Sequence, residues 1–151
     1  MYERLEVRQK FLLLSLFLII SLFLTGCGDR FISVSGTVYE WVNAPVDTKS
    51  ETFHQEWIGG RFVGQEIPDG RTLVPVSNAS LRFTLDSDFT YDPILSDSEG
   101  NYLLSTTWPP FQGNVLISVE VSKEGYYIAE REFVDHLSPH RLDVILVRKH
   151  E

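Results

Sequence analysis

From Phe31 to Val42 apolar and polar positions alternate: Ile32, Val34, Val38 and Val42 share one side, Ser33, Ser35, Thr37 and Tyr39 the other. A period of two with β-branched residues predicts a half-buried strand. The alternation returns at Ala79, Leu81, Phe83 and Leu85, set against Ser80, Arg82 and Thr84. Ile94-Leu95 and Tyr102 to Thr107 flank Asp97-Ser98-Glu99-Gly100-Asn101, a turn supplied with residues that tolerate positive φ. Val115, Ile117, Val119 and Val121 against Leu116, Ser118, Glu120 and Ser122 form the cleanest strand pattern. Lys123-Glu124-Gly125 turns the chain, Tyr126 to Phe133 returns, and Leu142, Val144 and Leu146 face the same core from a final strand. No stretch after residue 26 sustains an apolar period of 3.6. The pattern predicts an all-β domain, a sandwich or small barrel of about seven strands.

One stretch breaks the rhythm. Residues 43–71 hold Pro45, Pro68, Gly59, Gly60, Gly64 and Gly70 and show no sustained period. This composition predicts a long inserted loop without a regular ladder, relieved by a short hairpin at Gly59-Gly60. Phe53, Trp57 and Phe62 make it too apolar for a free linker, so these three are candidate partner-binding residues, suited to an envelope protein or a glycan. Because loop closure costs grow slowly with length, cutting the insertion to a four-residue turn is expected to leave the sandwich folded.

The N-terminus is of another kind. Arg4, Arg8 and Lys10 precede Phe11 to Leu24, fourteen residues that are apolar except for Ser15 and Ser21. As a helix they would span about 21 Å, short of the ~30 Å hydrocarbon core, which fits a secretory signal better than a permanent span. Leu24-Thr25-Gly26-Cys27 closes the run and resembles the lipobox of bacterial lipoproteins. That resemblance implies cleavage between Gly26 and Cys27, diacylglycerol on the Cys27 sulfur and fatty-acid (palmitate-type) acylation of its amino group. Residues 1–26 are then a signal peptide, 27–30 a lipidated tether and 31–151 the folded domain, anchored in the bacterial cell envelope. Gly28, in place of the aspartate that retains many lipoproteins in the inner membrane, implies the outer membrane in a Gram-negative cell.

Charge and cysteine content narrow the field. After residue 26 there are 10 Lys and Arg against 19 Asp and Glu, a net charge of −9. Such a surface repels nucleic acid and an anionic lipid face alike. Cys27 is the sole cysteine, so no intramolecular disulfide and no thiolate zinc site can form.

A second resemblance covers residues 31–147. Val34-Ser35-Gly36-Thr37-Val38, Pro75 to Leu81, Ser96 to Tyr102, Val121 to Tyr126 and Leu142 to Leu146 are similar, in order and spacing, to a carboxypeptidase regulatory-like domain. The family implies a transthyretin-like Greek-key β-sandwich and an accessory role, with no cofactor. The insertion at 43–71 departs from its pattern. Gly36, inside a strand, predicts close approach by a neighbouring strand or aromatic ring.

Candidate chemistry is sparse. The hydrolase of this fold acting on 5-hydroxyisourate ends in Tyr-Arg-Gly-Ser, absent here, and no Gly-x-Ser-x-Gly elbow occurs. The expectation is a protein that is not an enzyme. Asp86, Asp88, Asp92 and Asp97 fall in a calcium-loop register, a weak metal candidate because Tyr91 replaces the central glycine. His136 and His140, beside Asp135 and Asp143, have a metal-like spacing, but Pro139 predicts a surface loop there.

Overall fold

A computed structural model describes residues 30–109, 113–136 and 139–149, among which there is no helix. Eleven strands run in chain order: β1 (Arg30–Trp41), β2 (Glu51–Ile58), β3 (Arg61–Gly64), β4 (Leu73–Pro75), β5 (Ser80–Leu85), β6 (Phe89–Thr90), β7 (Ile94–Leu95), β8 (Asn101–Trp108), β9 (Val115–Ser122), β10 (Ala129–Asp135) and β11 (His140–Leu146). Eleven exceeds the expected seven or so: β2 and β3 come from the stretch expected to be a loop, and β4, β6 and β7 are only two or three residues long. The signal-peptide residues, the cleavage pair Gly26 and Cys27, and most of the tether lie outside the described residues; Arg30, assigned to the tether, already belongs to β1.

Two sheets pack face to face. One follows the order β3-β2-β11-β1, with β4 and β8 both pairing the far side of β1; the other runs β10-β9-β5, with β6 and β7 on the far side of β5. All pairs are antiparallel except the central one, where β1 and β11 lie parallel with Val34 opposite His140 and Val38 opposite Val144. Ile32, Val34, Val38, Leu104, Leu142, Val144 and Leu146 of the first sheet meet Leu81, Phe83, Leu85, Val115, Ile117, Val119 and Val121 of the second in one buried core. Alternation therefore set the inward face of each of these strands as expected.

The 43–71 stretch departs from expectation. It is no loop: β2 pairs β11 from Glu51↔Ile145 to His140↔Glu56, and β3 pairs β2. The hairpin at Gly59-Gly60 is present, with Ile58 opposite Arg61 and both glycines at positive φ, 60° and 87°. That two-residue geometry matches the natural twist of the flanking strands. Residues 65–72 then cross back over the outer face of the sheet, where Gln65 N–H bonds the His54 carbonyl at 2.9 Å and Val42 N–H bonds that of Thr72 at 3.0 Å. Outward-facing Ile145 is fully buried although it lies outside the main core; its neighbour on β2 is Glu51, which pairs with Arg71 of the return.

Gly36 explains the centre of the sheet. It lies opposite Tyr102 on β8, and the Tyr102 hydroxyl reaches over it to donate to the Leu142 carbonyl on β11. Burial, with the Asp143 charge nearby, holds that phenol far above its ordinary titration range. The β1–β11 ladder is interrupted at this point, and Asp143 bridges the gap: its Oδ1 accepts the Thr37 N–H at 3.0 Å while Oδ2 takes Arg141 Nε at 2.9 Å.

Candidate functional site

Of the three aromatic residues proposed for partner binding, the structure brings two together. Trp57 on β2 and Phe62 on β3 are cross-strand neighbours, edge to face at 5.0 Å and 77°. Trp57 remains 43% exposed, beside Ile58 at 55% and Val63 at 43%. Phe53 belongs to another cluster. The Arg71 guanidinium lies 4.2 Å from the Trp41 ring centre and 5.8 Å from that of Phe53, and its Nη1 pairs with Glu51 at 2.8 Å. This cation stacked on aromatic rings staples the 65–72 return to the sheet, so Phe53 is a packing residue.

A polar chain that the sequence reading missed runs through the same region. His140 is no surface residue: as the first residue of β11 it is fully buried, and so is Asp135 at the end of β10. Only His136 of that group is exposed. His140 Nε2 lies 2.9 Å from Asp135 Oδ1, and its Nδ1 lies 3.0 Å from His54 Nε2 on β2. Arg30 Nη2 stands 3.4 Å from the other Asp135 oxygen, and its Nη1 donates to the Gly113 carbonyl. Phe133 stacks on His54 at 4.0 Å. With Asp135 accepting the Nε2 proton, a neutral His140 presents Nδ1 as acceptor for His54 Nε2–H, so one tautomer satisfies the whole chain. It ties β1, β2, β10 and β11 together across the two sheets. Pro139 misled because it lies just one residue before the strand starts; the only sequence signal was that Asp135 and His140 flank one short connection, and nothing marked His54, which sits in the middle of β2.

Burial, with His140 and Arg131 nearby, pushes His54 down to about 4. A histidine with a depressed folded pKa stays neutral while its unfolded counterpart takes up a proton below the ordinary value of 6.5. Stability is therefore full above pH 6.5 and declines as pH falls towards 4. The ring is only half-buried, and solvent screening reduces the effect to about 1–2 kcal/mol. Urea titrations at a series of pH values should show that decline, and His54→Phe, which keeps the stack but cannot titrate, should lose it. An equal acid slope in both proteins would assign the effect elsewhere.

The four calcium candidates do not converge. Asp86 Oδ1 accepts the Leu116 N–H at 2.7 Å, and Asp97 Oδ1 accepts those of Glu99 and Asn101 at 2.9 and 2.8 Å. Asp97 flanks the start of β5 and Asp86 its end, while Asp88 and Asp92 are exposed. Among the described residues no group of three or more acidic, histidine or cysteine side chains is arranged to hold a metal ion. Asp86 and Asp97 shape turns instead.

At the opposite end, Glu40 accepts Tyr126 Oη at 2.6 Å and Arg148 Nε at 2.6 Å. The Arg148 hydrogen bond holds the Glu40 carboxyl below its ordinary range. This clasp holds Tyr126 and Arg148 against β1. No family model, curated protein or solved structure matches the chain.

Proposed function

We propose that the protein is a lipid-anchored, non-catalytic module of the bacterial cell envelope, a transthyretin-like Greek-key sandwich held at the membrane through Cys27. The observation that carries this reading is the join between motif and fold. Leu24-Thr25-Gly26-Cys27 ends an apolar run, and β1 begins at Arg30, so cleavage before Cys27 removes none of the described strands. Two or more acyl chains suffice for stable attachment where a single one does not. The family resemblance gains support from its glycines: Gly36 lies under Tyr102, and Gly100 and Gly125 adopt positive φ of 79° and 82° beside β8 and after β9.

A second reading, capture of an envelope protein or glycan, is favoured by the exposed Trp57–Phe62 pair. The anchor is tested at one atom. Cys27→Ser should lose metabolic lipid label and leave the membrane fraction. Retention in the membrane with residues 1–26 intact would make the segment a transmembrane anchor and overturn the reading.

A further inference from the structure

We infer that the end of the sandwich from which the tether emerges is itself a lipid-contacting face, with Trp57 and Ile58 seated at the surface of the bilayer that holds the anchor. The inference rests on the lipid-anchor reading and adds the orientation of the domain.

Strand directions define that end. β1 starts there with Arg30; β11 runs parallel to β1, and β2 runs antiparallel to β11, so the Gly59-Gly60 tip returns to the level of the β1 start. Register agrees: Trp57 N–H bonds the Pro139 carbonyl, one residue before His140, which lies opposite Val34. Phe31, at the same end, is 75% exposed. Phe89 of the other sheet stands there too, edge-on to Trp108 at 5.6 Å and 56% exposed.

Reach then selects the occupant. Only Gly28 and Asp29 separate Cys27 from Arg30, and the Cα atoms of Cys27 and Arg30 are at most about 11 Å apart even when the chain is fully extended. An acylated Cys27 would therefore keep the bilayer surface against this end. The exposed Val46 and Ile128 belong to turns at the other end, and a twelve-residue strand puts about 40 Å between them and the tether. A surface held this close has a high effective concentration, so a small apolar patch is enough to engage it. Tryptophan suits that level of a membrane, with an apolar ring and a polar N–H. Arg61 supplies a cation at the hairpin tip, and Asp88 an acid beside Phe89. The contact is thus apolar in character. Glu120, Glu130 and Glu132 gather on the outer face of the second sheet, away from the hairpin.

The chain's single cysteine makes a clean test, because lipid on Cys27 leaves an introduced thiol as the one labelling site. Full-length Ile58→Cys and Val46→Cys proteins, isolated from membranes and labelled with an environment-sensitive dye, would be reconstituted in phosphatidylcholine vesicles containing doxyl-labelled lipid. The Ile58→Cys dye should be quenched about twofold and shifted to the blue, the Val46→Cys dye should report water, and adding Trp57→Ser should weaken the quenching. Equal exposure of both dyes on a protein whose N-terminal peptide carries lipid overturns the orientation while leaving the anchor standing. Shielding at Ile58→Cys in native membranes but not in pure lipid also overturns it, in favour of a protein occupant. Dye on Cys27 itself, with no lipid on that peptide, removes the anchor reading and the inference together.

Discussion

Gly36→Ala should cost about 3 kcal/mol or more, measured by urea denaturation, although it adds a single methyl group. A β-carbon at this position would lie 2.0 Å from the Leu142 carbonyl oxygen and 2.6 Å from its carbon, both backbone atoms of the central strand. Side chains can rotate out of a clash; a strand hydrogen-bonded on both sides has to shift as a body. The shift would also break the Tyr102 hydroxyl's bond to Leu142, leaving a buried donor without its partner. Gly125→Ala supplies the comparison: it has φ +82° but nothing within 4 Å of the new carbon, so only backbone strain of about 1 kcal/mol is expected. Equal losses at the two positions would show that the crossing of Tyr102 over Gly36 does not govern this sheet.

Replacing residues 51–64 with a four-residue turn should destabilise the domain by on the order of 5 kcal/mol, a large share of the ~5–15 kcal/mol that hold a typical domain. On sequence grounds the opposite outcome is expected, since long insertions close cheaply. The structure reverses it because β2 is a sheet strand. Excision turns β11 from an interior strand into an edge and removes His54 from its bond to buried His140. It also deletes Glu51, the ion-pair partner of Arg71, loosening the return near Ile145. Hydrogen exchange should show β11 amides losing protection first. A shortened chain that unfolds at the same urea concentration with the same slope would return the segment to the status of a dispensable insertion.

These two sites mark where sequence reading succeeds and fails. Strands β1, β5, β8 and β9 were legible because one face meets the apolar core and the other mostly faces water or small polar neighbours, so burial and alternation coincide; β11 was legible from Leu142, Val144 and Leu146 alone, since its outward Asp143 and Ile145 are buried as well. β2 inverts that relation. Its inward positions are Thr52, His54 and Glu56, opposite Val144, Leu142 and His140, while Phe53 and Trp57 point outward. Phe53 lies under the 65–72 return and Trp57 against Phe62. Both faces are mixed, and no period survives. The Asp135–His140–His54 chain was illegible for a related reason: its members come from three strands, and a histidine near a proline looks the same in sequence whether it is solvated or buried. Gly36 was readable as a point of close approach, because glycine within an otherwise β-branched strand has few other uses; which ring would cross it was not. At the aromatic site the sequence singled out Trp57, Phe62 and Phe53 by composition, and only the fold separated the exposed pair from the residue packed under Arg71.

The parallel pairing of β1 with β11 governs when this protein can fold. The first strand made must wait for the last before the central ladder of its sheet exists, and β2 in turn pairs with that same final strand. Closing so long a span before any of those contacts forms makes folding slow and late. Before β11 is made, β5, β6, β7, β9 and β10 have all the partners of the second sheet and β1 has β4 and β8, but the first sheet is unfinished. On the proposed lipid-anchored reading this order suits export, because the two-layered body is complete only once β11 has joined β1 and β2, and a chain short of that strand holds no finished first sheet to block a translocation channel.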